Sequence, residues 1–250
     1  MNAVTPMKSL ALAALALLLG ACQSLSPSNP PAVYKRTAWE HLQAGCQGRE
    51  CPLVNIDTVH FADEPALNRL IDQGLLELTR EAEGMPLPAS LESHERDFLA
   101  GAKPGWSSYL QAKVLEQNNG RILVELSSYR FTGGAHGMPR RAFIDFDRRR
   151  QKALELRDLL LPGQEEAFWA KAGQAHQRWL TAQGVGEDAE FIATWPFQQT
   201  RHIALAKVGV LLMYDTYRIA PYAMGHPLLV VPYPQLNGIL KPEFFPRSRK

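Results

Sequence analysis

The chain has little of several things. It has three cysteines in 250 residues, and its charges nearly cancel, with 27 Lys and Arg against 25 Asp and Glu. The longest apolar run, Leu10 to Leu19, is too short for a membrane span, which needs roughly 20 residues. There is no long internal repeat, no G-x-S-x-G elbow, no H-E-x-x-H pair and no C-x-x-C. The charge balance argues against a nucleic-acid binder, which needs a concentrated basic face. The missing motifs leave the common serine-hydrolase and zinc-peptidase chemistries without their signatures. No cofactor motif stands in their place, so no cofactor is expected.

The N-terminus sets the compartment. Met7-Lys8 precedes the apolar run, which ends in Leu19-Gly20-Ala21-Cys22. Lys8, the run and the small residues have the layout of a signal peptide, expected over 1–21, with Met7 a more usual start than Met1. The end of the run resembles a bacterial lipobox, which implies cleavage after Ala21 and lipidation of Cys22. The alternative is an ordinary secretory signal with an incidental cysteine. Gln23, rather than Asp, follows Cys22; by analogy with Gram-negative sorting this points to the outer membrane, the chain facing the periplasm. Residues 22–33, "CQSLSPSNPPAV", are rich in Ser and Pro and suit an extended tether.

If Cys22 carries lipid, Cys46 and Cys51 are an even pair in an exported chain, and a disulfide closing a short hairpin loop is expected. Chain-entropy arithmetic gives roughly 2 kcal/mol for so small a ring. A metal or redox pair is the rival reading, without a ligand cluster nearby.

The period of the apolar residues gives the rest. "AVYKRTAWEHLQAG" and "CPLVNIDTVHFAD" read as strands across the cysteine loop. Leu67, Leu70, Ile71, Gly74, Leu75 and Leu78 fall at helical spacing after Pro65, with Asp63 as N-cap; Ser90 opens a second helix. Asn118-Asn119-Gly120 between two alternating runs is a hairpin signal. Further hairpins are expected turning at Arg148–Arg150 and near Lys207, with a helix from Gln164 carrying Phe168, Ala172, Ala175, His176 and Trp179 on one stripe, and a last strand at "PLLVVPY". The fold class is α+β: an antiparallel sheet built from hairpins with helices packed on one face. An N-terminal subdomain is expected over 34–102 and a C-terminal domain over 103–245.

One loop stands out. "RFTGGAHGMPRR" places Gly133, Gly134 and Gly137 around His136, between two strands. Glycines here allow positive φ and close backbone approach. The preferred reading has His136 hydrogen-bonding neighbouring carbonyls to hold the turn. The alternative aims it into a cleft as donor, acceptor or base, paired with Asp145 or Asp147, or with His226 around a metal. Near the C-terminus, Tyr217, Pro221 and Tyr222 put aromatic groups on an irregular segment, suited to recognising a sugar or a protein, or to plugging the end of a sheet. The runs Arg140–Arg141 and Arg148–Arg150 read as solvated turns, or as contacts for envelope phosphates and carboxylates.

"YRFTGGAHG", the "IDFD" strand, "LELRDLL" and "GVLLMYDTYRIAPYAMG" together resemble the RsiV-type extracytoplasmic domain. That domain is found in the sigma-V anti-sigma factor, in bacterial lipoproteins and beside the catalytic domain of PdaC-type peptidoglycan deacetylases. The resemblance covers Gly105 to Lys241. It implies a binding module for lysozyme-like muramidases or peptidoglycan, with Gly133, Gly134, His136, Gly137, Tyr217, Pro221 and Tyr222 as candidate binding residues. No catalytic residue and no metal ligand are carried over, and the sigma-binding function does not transfer. The alternative from another class is a hydrolase acting on an envelope polymer. Neither the residues nor the resemblance gives an oligomeric state.

Overall fold

The computed structural model describes residues 30–118 and 120–246. The expected signal peptide, the lipidated Cys22 and the tether up to residue 29 lie outside them. Among the described residues no helix is long and apolar enough to cross a membrane.

Strands β1 (Tyr34–Leu42) and β2 (Leu53–Phe61) form the first antiparallel hairpin, closed where Leu42 meets Leu53. The connection carries the Cys46–Cys51 disulfide, Cα atoms 5.6 Å apart. Helix α1 (Pro65–Thr79) begins at Pro65 with Glu64, not Asp63, at the N-cap and no side-chain cap bond. Its buried stripe is Leu67, Ile71, Leu75, Leu76 and Leu78. Gly74 faces Leu126 so closely that a Cβ would overlap that side chain. Helix α2 (Leu91–Gly101) is opened by a reciprocal capping box between Ser90 and Ser93.

The chain then returns to the same sheet through β3 (Ser107–Asn118), β4 (Arg121–Phe131), β5 (Met138–Asp147) and the short β6 (Lys152–Ala153). The sheet order is β1-β2-β3-β4-β5-β6. All neighbours are antiparallel except β2 and β3, which run parallel with Leu53 against Ser107. The physical reason is the α1–α2 crossover: a chain that crosses over through helices re-enters the sheet in its original direction, as a hairpin cannot.

Residues 154 onward build a second layer. Helices α3 (Leu156–Leu159), α4 (Glu165–Ala182) and α5 (Ala189–Thr194) precede a three-stranded antiparallel sheet of β7 (Ile203–Ala206), β8 (Gly209–Met213) and β9 (Leu228–Pro232). Every residue of β7 and β8 is buried, which is why these strands read as continuous apolar runs. The architecture is α+β, in two sheets rather than one.

Among the described residues there are two hydrophobic clusters. One joins β2–β5 to α1 and α2; the other joins α4 to β7–β9 and the C-terminal turns. The division between them falls at Ala153 and Leu154, each of which packs with a different cluster. Residues 102–103 lie in the loop leading into β3, whose strand pairs with both β2 and β4 in a single sheet.

On the six-stranded sheet, Ile122, Val124, Leu126, Ile144 and Phe146 face the helices. One end of the opposite face packs against β7. There Leu123 and Asp145, paired in register, are buried. The Asp145 carboxylate accepts from Arg121 Nη1 at 2.7 Å and from the Leu205 backbone N–H of β7 at 2.8 Å. Burial pushes the Asp145 carboxyl up, and the Arg121 guanidinium opposes this. Further along, that face carries Asn55, Asp57, Tyr109, Gln111, Ser127 and Tyr129, with Asp57 itself buried.

Candidate functional site

The connection between β4 and β5 is the glycine loop. Gly133 and Gly134 hold φ of +97° and +92°, with open space where a Cβ would stand. Gly137 is required for a different reason. It is buried, and a Cβ there would lie 2.8 Å from the Arg130 carbonyl and 2.6 Å from the Tyr129 hydroxyl. Its N–H donates to Tyr129 Oη at 3.2 Å, and its carbonyl accepts from Tyr222 Oη at 3.0 Å.

That last bond joins the two motif segments, 129–141 and 214–226. His136 stacks on Tyr222 with ring centroids 3.7 Å apart and planes 20° from parallel. Its Nδ1 is 3.0 Å from the Gly137 carbonyl, so the proton sits there and Nε2 is the acceptor, 3.4 Å from Tyr217 Oη. Tyr217 continues the cluster toward Tyr222 at 5.8 Å and Trp195 at 6.4 Å. Pro221 caps the 3-10 turn Tyr222–Met224 that places Tyr222 under the histidine. Ile219 and Ala220, wholly buried, anchor the segment in the second core.

Tyr217 has a φ of +64° and its side chain is exposed, at 46% of the reference surface. A bulky residue in the left-handed region is an outlier. Such strain costs on the order of 1–3 kcal/mol and clusters at binding sites, where the fold over-determines it. Burial does not account for holding this ring here.

Neither Asp145 nor Asp147 reaches His136. Asp145 is held by Arg121 and Leu205. Asp147 accepts from the backbone N–H groups of Arg149 and Arg150 and from the Arg150 side chain, closing the turn at the other end of β5. The arginine runs are largely structural. Arg140 donates to the carbonyls of Glu77, Leu78 and Arg80 at the end of α1, and Arg148 pairs with Glu64 at 2.5 Å.

Asp215 and Trp195 were not legible as site residues, and His226 was read only as a metal partner for His136. Asp215 accepts from the Arg141 backbone N–H at 3.0 Å and lies 3.7 Å from Arg140 Nε, tying the 214–226 segment to β5. His226 Nδ1 is 3.2 Å from the Tyr214 carbonyl and 3.8 Å from Asp215. Burial, first, holds the His226 ring below the usual imidazole range. Trp195 comes from the end of α5, a helix with no buried residue and no apolar stripe. Tyr129 had one signal: it stands on the polar side of β4's alternation.

Beside this cluster the open sheet face forms a cleft of about 300 Å³, lined by Asn55, Asp57, Tyr109, Gln111, Arg141 and His226 among others. Asp57 is committed to Arg36 and Gln111, at 2.6 and 2.7 Å, and the arginine's bond holds its carboxyl below the usual range.

Comparison with known proteins places this geometry. Residues 157–234 match the family model described as a protein of unknown function, DUF3298. No curated protein matches the chain. The solved structure of a DUF3298 family protein from Pseudomonas aeruginosa is 58% identical, with a TM-score of 0.83, covering 88% of this chain and 99% of that one. A second DUF3298 structure, from Bacteroides fragilis, is 17% identical with a TM-score of 0.66, covering 87% of this chain and 96% of that one, and shares the fold. The matched segment holds Trp195, Tyr217, Pro221, Tyr222 and His226, while the glycine loop that completes the cluster comes from the strands before it. The chain belongs to the DUF3298 family.

Proposed function

We propose that the protein is a lipid-anchored periplasmic binding module, held at the outer membrane through Cys22, that recognises peptidoglycan or a lysozyme-like muramidase acting on it. The observation that carries this reading is Tyr217: an exposed aromatic ring on a backbone held at φ +64°. The two motif loops that support the resemblance to the RsiV-type domain meet at this ring and His136. Stacked aromatics with polar edges suit a sugar face or a protein hot spot. Two features favour binding over hydrolysis. His136 engages a tyrosine and a carbonyl rather than a nucleophile or carboxylate. Asp145, a carboxylate that could have served it, ties the two sheets together.

The test is direct binding of the purified full chain, in detergent, to isolated sacculi and to a purified lysozyme-type muramidase. Saturable binding to either is expected. Binding to neither overturns the reading.

A further inference from the structure

The six-stranded sheet ends on one side in β1. That strand pairs with β2 along all nine of its residues, and among the described residues no strand pairs with its other side. Eight of the nine residues are exposed, Trp39 alone being partly buried. The sheet's other end is unlike it, since β6 is only two residues long. A long free edge presents unpaired backbone N–H and C=O groups, a ready template for another strand. Charge commonly blunts such an edge. β1 carries charge of both signs, Lys35 and Arg36 near its start and Glu40 near its end, and that arrangement decides which strand it accepts.

By the alternation of a strand, Tyr34, Arg36, Ala38, Glu40 and Leu42 share one face of β1, the face on which Glu40 meets Asn55 and Arg36 meets Asp57. From either end that row reads large apolar, charged, alanine, charged, large apolar, with the two charges of opposite sign. It is complementary to itself run backwards. Arg36 spends Nε and Nη2 on Asp57, at 2.6 and 3.0 Å, yet its side chain is 69% exposed. Glu40 accepts from Asn55 through Oε2 at 2.9 Å. The Arg36 Nη1 and the Glu40 Oε1 are left for a neighbour. Tyr34 and Leu42 expose 42% and 50% of their surface, much for large apolar side chains.

We propose that β1 is the interface of a two-fold homodimer, in which the β1 strands of two copies pair antiparallel with Ala38 opposite Ala38, joining the two sheets edge to edge. In that register Arg36 of each copy faces Glu40 of the other, and Tyr34 faces Leu42, so each contact is made twice, as a two-fold interface requires. On the other face of the strand Thr37 comes opposite Trp39. Lys35 comes opposite His41, whose Nδ1 meets the Glu95 carboxylate at 2.5 Å and so brings an acid to the lysine. Sliding one copy by two residues loses both ion pairs and sets Arg36 against Ala38 or Leu42, so the charges fix the register. An unrelated extended peptide would gain the backbone bonds without both ion pairs. A second copy of this chain supplies all of them.

The experiment is sedimentation equilibrium of the full chain in density-matched detergent over a range of concentrations. A reversible monomer–dimer equilibrium is expected. Glu40→Arg opposes like charges at two places and is expected to weaken the dimer at least roughly tenfold. Arg36→Glu is expected to do the same, and an equimolar mixture of the two variants to dimerise again, because each supplies the charge the other lacks. If Arg36→Glu fails to fold beside Asp57, Ala38→Cys carries the test. It is expected to link two copies by a disulfide under mild oxidation, since directly paired Cα atoms lie roughly 4.5–5.5 Å apart, within disulfide reach. Lys35→Cys, which faces His41 and not its own counterpart, should not link. A chain that is monomeric at every concentration, a dimer that Glu40→Arg leaves intact, or linking through Lys35→Cys as readily as through Ala38→Cys overturns the proposal.

Discussion

Gly137→Ala is the substitution whose cost follows most directly from the geometry. The added methyl would stand 2.8 Å from the Arg130 carbonyl, a backbone atom fixed by the pairing of Arg130 with Met138. It would also press on the Tyr129 ring, whose hydroxyl accepts the Gly137 N–H. Overpacking of this kind costs roughly 1–3 kcal/mol, and the displaced hydrogen bond about 1 kcal/mol more. The sum is about 2–4 kcal/mol, or roughly 5–15 °C in Tm for a chain of this size. Gly134→Val separates space from dihedral: that site is open, so its cost, roughly 1–3 kcal/mol, comes from the backbone alone. The assay is thermal unfolding followed by near-ultraviolet circular dichroism, which also reports the packing of Tyr129 and Tyr222. A Gly137→Ala shift below about 2 °C would refute the close approach and, with it, the way the two motif loops are held together.

Cys22→Ala is expected to make the protein extractable without detergent; membrane partitioning like that of wild type contradicts lipid anchoring. Thiol titration of the unreduced, denatured chain should find neither Cys46 nor Cys51 reactive, since they are bridged. His94 gives a pH signature. Burial, reinforced by the nearby Arg130, lowers its pKa from 6.5 to about 4, and its Nε2 is 2.9 Å from Ser108 Oγ. The unfolded chain therefore takes up this proton first as the pH falls. Stability attributable to His94 is complete above pH 6.5, is lost between 6.5 and about 4, and amounts to at most about 3 kcal/mol. Denaturant unfolding across that window should show a slope that His94→Asn removes; an unchanged slope in the variant refutes the assignment.

The parts of the fold that rest on local signals were legible in the sequence. The cysteine hairpin, the Ser90 cap, the hairpin at 118–120 and the apolar stripe of α1 each depend on residues a few positions apart. What was not legible depends on distant pairing. The parallel β2–β3 contact is invisible because alternation within a strand says nothing about its partner's direction. The second sheet could not be separated from the first, since buried hairpins read alike in either. Asp145 is a titratable group nine residues from His136 in chain order, close enough in sequence to be read as its partner. Along a strand at about 3.3 Å per residue they are held well apart. At the site, the glycines, His136, Tyr217 and Tyr222 were marked by composition and by the resemblance. Asp215 was not, and His226 was read only as a metal partner for His136, because their roles arise from the N–H of Arg141 and the carbonyl of Tyr214, which no side-chain pattern records.

The central claim is that Tyr217 is held in a strained backbone for the sake of binding. Tyr217→Gly tests it, because glycine adopts φ +64° freely while the ring is lost. Melting temperature and affinity for sacculi and for the purified muramidase should be measured on the same preparation. The account predicts a Tm equal to or above that of wild type, together with a loss of affinity of at least about tenfold, or 1.4 kcal/mol. A variant that melts several degrees lower and binds as wild type would show that the ring serves the fold, and would contradict the account.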